Sequence, residues 1–155
     1  MKRRCATMMR DFKNVMAVDK DKLRQKLHHI QESLRRLETI RERGRAAFLA
    51  DWLLQAAAER SLQVAIEAVL DTANHLSAQE GWGLPGSYRE AIEILLREDI
   101  LPSDRAQDFL KMVSFRNRIV HLYDRIDPDE VFAVIEDHLG DLEAVIRSVV
   151  KRYLS

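Results

Sequence analysis

Apolar residues spaced four and three positions apart dominate residues 19–43, and this spacing constrains the fold more than any other feature of the chain. The residues are Leu23, Leu27, Ile30, Leu34 and Leu37. Side chains three to four positions apart lie on one side of an α-helix, so the spacing gives a helix an apolar stripe that other helices must cover. Because too few heptads follow for a free coiled coil, the stripe predicts a helical bundle.

Helix breakers are few along the rest of the chain. Three prolines and five glycines interrupt 155 residues, and alternating strand patterns are absent. A hydrophobic content of 46% is enough for one buried core without cross-links. We therefore predict an all-α, single-domain antiparallel bundle of about five helices over residues 16–155, preceded by a flexible basic extension over residues 1–15.

Capping residues and turn segments set the ends of the predicted helices. The first two expected helices are Asp19 to Arg43, with a stop at Gly44, and Ala46 to Ser77. A short third helix is opened by a capping box of Ser87 and Glu90, and a fourth is capped by Ser103. The last helix is opened by Asp127 as cap, Pro128 in the first turn and Glu130 as the carboxylate that returns to the cap. The segment "EGWGLPG" separates the second helix from the third. Phe48, Trp52 and Leu53 are expected to join the core from the second helix, and the last helix is expected to continue to about Val149.

Charge and cysteine content exclude several classes of protein. Lys and Arg number 25 and so do Asp and Glu, so a uniformly cationic nucleic-acid coat is absent and a polyanion would need a local patch. A single cysteine, Cys5, excludes an internal disulfide and favours a reducing compartment, so we expect a cytoplasmic protein. No apolar stretch is long enough to predict a membrane span.

The stretch "SFRNRIVHLY", residues 114–123, places unusual polar chemistry in an apolar helical pattern. At about 100° per residue, Arg116 and Tyr123 lie nearly one above the other, and Asn117 and His121 are neighbours. Arg116 and His121 are about 140° apart, a gap that a second copy of the helix in a dimer could close. The simpler alternative is a solvated face with a structural histidine.

A second polar constellation lies on the second predicted helix. Arg60, Glu67, Asp71 and His75 fall within a narrow sector opposite its apolar stripe. A solvent-facing, salt-bridged ladder is the simplest explanation of this sector. The alternative, that the sector supports a cleft, depends on the resemblance described next.

The longer motif "FRNRIVHLYDRID" resembles the Arg-Asn-x-x-x-His-x-Tyr signature of HEPN-domain ribonucleases of the HepT type. "AERSLQVAIEAVLDTANHL" and "SYREAIEILLREDILP" also resemble that family, so the similarity covers roughly residues 18–150. The resemblance implies a toxin of a type VII-like toxin-antitoxin system. Such a toxin is a homodimeric, metal-independent endoribonuclease that cuts tRNA or mRNA. The motif helices of its two subunits line one cleft.

The resemblance also implies roles for individual residues. Arg116, Asn117 and His121 would be catalytic, and no metal or cofactor would be required. Tyr123 would be AMPylated by a partner antitoxin, an MntA-type minimal nucleotidyltransferase that uses ATP and Mg²⁺. Glu67 or Asp71 could then tune the protonation of His121. The alternative function is a non-catalytic helical adaptor or substrate-binding subunit of that nucleotidyltransferase.

Overall fold

The structure, a computed structural model, describes residues 18–121 and 126–155. The predicted extension over residues 1–15 and the predicted regulatory residue Tyr123 therefore lie outside the described residues. Seven α-helices form the described part, together with a 3₁₀ turn at Ser103–Arg105 and a π-helical turn at Val150–Leu154. We number the helices α1 (Lys20–Arg43), α2 (Arg45–Ala50), α3 (Trp52–Glu80), α4 (Tyr88–Arg97), α5 (Ala106–Val120), α6 (Pro128–Asp137) and α7 (Leu139–Val149).

Helix α1 confirms the predicted first helix and its buried stripe. Asp19 caps its start by accepting hydrogen bonds from the backbone N–H groups of Asp21 and Lys22, both at 3.1 Å. All five residues of the predicted stripe are buried. The stripe packs mainly along α3, which returns after a short connection, so the two long helices run antiparallel and form the centre of the bundle.

The predicted second helix is divided in two at Asp51. Its extended backbone ends α2, and its carboxylate accepts from the Leu53 N–H at 2.9 Å to cap α3. The amide of Gln55 donates to the carbonyl oxygens of Phe48 and Leu49, which satisfies acceptors left by the break.

The break changes which residues of this segment reach the core. Phe48 is fully buried as predicted, and its ring lies 5.2 Å from that of Phe132. The core assignment was wrong for Trp52 and Leu53, which are 73% and 60% exposed, because the new helix starts with a different rotation.

Helices α4 and α5 also pack against α3 and against each other. Gly81 ends α3 in the left-handed conformation, with φ of 72°, where a glycine has no Cβ penalty. Ser87 caps α4 by accepting from the Glu90 N–H, while the Glu90 carboxylate accepts from the Gly86 N–H at 2.8 Å. The capping box is therefore present, but its returning carboxylate reaches one residue further back than predicted.

The predicted last helix is also divided, at His138. The Nδ1 of His138 lies 3.0 Å from Oδ2 of Asp141, which fixes the turn between α6 and α7. Asp127 caps α6 as predicted, through the Asp129 N–H. Glu130 was wrongly predicted to return to the cap, because its carboxylate pairs instead with Arg118 on α5.

None of the helices within the two described ranges combines the length and the apolar character needed to cross a bilayer.

Candidate functional site

The motif residues lie at the C-terminal end of α5. The helix is anchored by buried Phe109, Val113 and Phe115, which leaves the opposite side of its last turns available for polar side chains. The helix ends at Val120, earlier than predicted. His121 is its C-terminal cap, with φ of −78° and ψ of 102°, and its N–H donates to the Asn117 carbonyl at 3.3 Å.

The φ of His121 and the hydrogen bond of its N–H are still helical, and only its ψ is extended. The proximity of the Asn117 and His121 side chains therefore stays a prediction. The predicted position of Tyr123 on the face of Arg116 lies outside the described residues. The side chains of Asn117 and His121 are both exposed.

Arg116 is held by contacts from three helices. Its Nη2 donates to Oε1 of Glu67 on α3 at 3.1 Å, and its Nη1 donates to Oδ1 of Asn117 at 3.3 Å. The guanidinium carbon lies 4.7 Å from the ring centroid of Tyr88 on α4. The Arg116 side chain is 17% exposed, and its buried Nε has no hydrogen-bond partner within residues 18–121 and 126–155. The guanidinium is thus oriented, partly buried and paired with a carboxylate.

Glu67 connects the motif to the polar sector predicted on α3. Its Oε1 accepts from Nε2 of Gln63 at 3.1 Å as well as from Arg116, so the carboxylate is itself positioned. Of the four predicted support residues, Glu67 is the one that contacts the motif arginine. Its contact is with Arg116, whereas the resemblance suggested an effect on His121.

Among the described residues, no hydrogen bond or ion pair joins the other three support residues to Arg116. Arg60 and Asp71 are exposed on α3, and no ion pair joins any two of the four sector residues in the part of the chain that is described. The salt-bridged ladder proposed as the simpler alternative is therefore absent there. His75 faces the start of α1. Burial lowers the pKa of His75, and a hydrogen bond to the Asp19 backbone acts in the opposite direction.

An open groove of about 450 Å³ borders the motif between α5 and the segment before α4. The groove residues are Asn74, Pro85, Gly86, Ser87, Tyr88, Arg89, Val113 and Asn117. Tyr88 is 41% exposed, although it was not singled out from the sequence. Tyr88 and Arg116 are 28 residues apart, so no local sequence pattern predicts that they contact each other.

A second cavity, of about 280 Å³, lies against a different part of α5. Its apolar wall includes Ile66, Phe115 and Leu142, and the bidentate pair of Arg118 and Glu130 stands at its rim. The hydrogen bonds from Arg118 lower the pKa of Glu130.

The same cavity contains a cluster of potential metal ligands. Asp108, His138 and Asp141 each offer a ligand atom, and these atoms lie within 4.8 Å of one another. Arg105 donates to Asp141 at 3.2 Å, however, so a protein cation already neutralises this buried carboxylate. The cluster shares no residue with the motif groove.

Several known proteins are similar to this chain over most of its length. Residues 30–149 match the family described as Ribonuclease HepT-like. The mRNA nuclease HepT of Shewanella oneidensis is 31% identical over 121 residues, covering 78% of this chain and 90% of that protein. The tRNA nuclease HepT of Aphanizomenon flos-aquae is 30% identical over 102 residues, covering 66% and 69%. A solved structure of the tri-AMPylated Shewanella oneidensis HEPN toxin in complex with MNT antitoxin matches with a TM-score of 0.77 at 29% identity, covering 84% of this chain and 97% of that one.

Proposed function

Because the chain belongs to the Ribonuclease HepT-like family, we propose that it is a metal-independent endoribonuclease and the toxin of a two-gene toxin-antitoxin system. The observation that carries the proposal is the arrangement at the end of α5, where an oriented arginine contacts an exposed asparagine and the helix ends on an exposed histidine. The substrate is tRNA or mRNA, the classes named for the two nuclease relatives. A cytoplasmic location follows from that substrate.

The proposed reaction needs a proton acceptor, a proton donor and a cation. The 2′-hydroxyl loses its proton and attacks the adjacent phosphorus, and the bond from phosphorus to the 5′-oxygen breaks. The leaving 5′-oxygen accepts a proton, so the products are a 2′,3′-cyclic phosphate and a free 5′-hydroxyl, and RNA is required because DNA has no 2′-hydroxyl. An imidazole such as that of His121 has one nitrogen that can accept a proton and one that can donate it, so it suits either transfer. Arg116 would stabilise the charge that develops on the phosphate oxygens.

A homodimer completes this site in the proposal. One His121 cannot be base and acid in the same displacement, whereas two copies facing one phosphate supply both. The exposed position of His121 at the end of α5 is compatible with such a composite cleft. Asn117 would orient one histidine or donate to a phosphate oxygen.

Control of the toxin by AMPylation forms the second part of the proposal. A partner nucleotidyltransferase, using ATP and Mg²⁺, would join the Tyr123 hydroxyl to the α-phosphate of ATP and release pyrophosphate. The modified ring would carry negative charge and bulk near the motif and would repel RNA. Support comes from the Shewanella oneidensis toxin, which was solved AMPylated and bound to its antitoxin.

A non-catalytic adaptor of the nucleotidyltransferase is the alternative function. The ion pair between Arg116 and Glu67 favours it, because a guanidinium that is already neutralised and partly buried can have a purely structural role. RNA cleavage would separate the two functions, since an adaptor needs neither Arg116 nor His121 for chemistry.

The test is an RNA cleavage assay with the purified full-length protein. We expect cleavage to persist in EDTA and to fall at least a hundredfold in His121→Ala, the scale expected for loss of a general acid or base. His29→Ala, an exposed histidine on α1, is the matched control and should keep full activity. Inactivity of unmodified protein toward all RNAs tested would favour the adaptor.

Intact mass of the same preparation provides the control for modification. Co-expression with the nucleotidyltransferase should add about 329 Da for each AMP, and Tyr123→Phe should abolish the addition. An unmodified mass that accompanies full inhibition would contradict control by AMPylation.

A further inference from the structure

We propose that Tyr88 forms a nucleobase-binding subsite beside the motif, so that the groove takes an unpaired nucleotide of single-stranded RNA. This inference rests on the proposed ribonuclease function and specifies how its substrate is held. The subsite has three parts: an aromatic platform, amide groups at the edge of the groove, and the guanidinium that stands against the platform.

The Tyr88 ring is placed for stacking. It belongs to the first residue of α4, immediately after the Ser87 cap, so its backbone is fixed by the helix start. The guanidinium of Arg116 covers one part of the ring at 4.7 Å, and 41% of the residue stays exposed at the groove. An exposed aromatic ring held on a rigid element is the platform on which single-stranded nucleic acid binds, because every base has a π-face.

Amide groups at the groove suit the edge of a base. Oδ1 of Asn117 accepts from Arg116, which turns its amide nitrogen to the other side, where it makes no hydrogen bond with any described residue. Asn74 lines the same groove from α3 and is exposed. Asparagine amides can donate to a base carbonyl and accept from an exocyclic amine, so Asn74 would read the edge of a stacked base, while the Asn117 amide nitrogen stays with the adjoining phosphate or histidine.

The arginine on the ring connects the base site to the phosphate site. The Arg116 guanidinium contacts the Tyr88 ring. The phosphate of a nucleotide whose base stacks on Tyr88, or that of its neighbour in the strand, would therefore lie near this guanidinium. Stacking of a base and stacking of an arginine on one tyrosine combine aromatic and cation–π contacts, which are typical of single-strand binding. A base paired in a duplex presents no open face to the ring, so the subsite selects unpaired RNA.

The test uses full-length His121→Ala, which is expected to bind RNA without cutting it. The probe is a single-stranded RNA of about ten nucleotides that carries the fluorescent base 2-aminopurine at each position in turn. We expect quenching at one position. Tyr88→Leu in this background should remove the quenching and weaken binding about tenfold, whereas Tyr88→Phe should keep both. Trp52→Leu, an exposed aromatic that does not line the groove, is the matched control.

A second probe separates a base platform from a mere support of Arg116. The same RNA with an abasic site at the quenched position should bind about tenfold more weakly to His121→Ala, but no more weakly to the double variant with Tyr88→Leu. An equal loss in both proteins, or no quenching at any position, would overturn the subsite. If Tyr88→Leu, with His121 present, cleaved RNA as fast as the wild type, the subsite would also be overturned, but the proposed ribonuclease function would stand. Tyr88-dependent binding without cleavage would instead reject the ribonuclease.

Discussion

Two arginines of α5, only two positions apart, form ion pairs of different kinds. Arg116 pairs with Glu67 through one nitrogen and one oxygen, and its side chain is 17% exposed. Arg118 pairs with Glu130 through both terminal guanidinium nitrogens and both carboxylate oxygens, and its side chain is 47% exposed. The bidentate pair is therefore the more exposed of the two.

The difference shows why ion-pair geometry is a poor guide to importance. Water screens the exposed pair of Arg118, and ordering two long side chains costs entropy, so such pairs typically add about 0.2–1 kcal/mol. The pair of Arg116 is shielded from water by the Tyr88 ring and the body of the bundle. Its loss would leave a charge without a partner in a partly buried place, where the penalty is larger. The burial of the Arg116 pair, rather than its number of hydrogen bonds, makes it the more costly of the two to break.

Replacing each arginine in turn should separate the two pairs most clearly. Arg116→Ala removes the cation proposed for the transition state, so we expect RNA cleavage to fall by about a hundredfold or more. Arg118→Ala, the matched variant on the same helix, should stay within about threefold of wild type, because it loses an exposed pair. Initial rates at saturating and limiting RNA measure both. Equal losses would show that the two sites act together.

Truncating the two glutamates should give a smaller difference, visible in stability. Glu67→Ala leaves the partly buried guanidinium without its carboxylate, and we expect a loss of about 1–3 kcal/mol in the free energy of unfolding. Glu130→Ala should cost less than about 1 kcal/mol. Urea denaturation monitored by circular dichroism measures both. A larger loss in Glu130→Ala would reverse the assignment of the stronger pair.

Acidification should reveal the smallest effect. Arg118 lowers the pKa of Glu130 in the folded protein, so the unfolded chain binds a proton at higher pH than the folded one. The contribution of Glu130 to stability is then complete above the unfolded pKa and is lost as pH falls through the folded value. The gap in unfolding free energy between wild type and Glu130→Gln should therefore close below about pH 4. In an Arg118→Gln background this dependence on pH should disappear, and a gap that persists in acid would contradict the cause.

Much of the bundle could be predicted because its signals are local. Asp19, Ser87 and Asp127 act as caps because each side chain accepts from N–H groups two or three residues ahead. The stripe of α1 is buried as its spacing requires. The breaks at Asp51 and His138 were missed because apolar residues continue at helical spacing on both sides of each break.

The sequence by itself determined the all-helical architecture and the family to which the chain belongs. It also determined the segment that carries Arg116, Asn117 and His121. Only the tertiary structure decided that Arg116 pairs with Glu67, 49 residues earlier, and lies against Tyr88. Helical periodicity fixes which face of a helix is buried. It does not fix how neighbouring helices are rotated and shifted, and these are the variables that bring polar groups from three helices to one point.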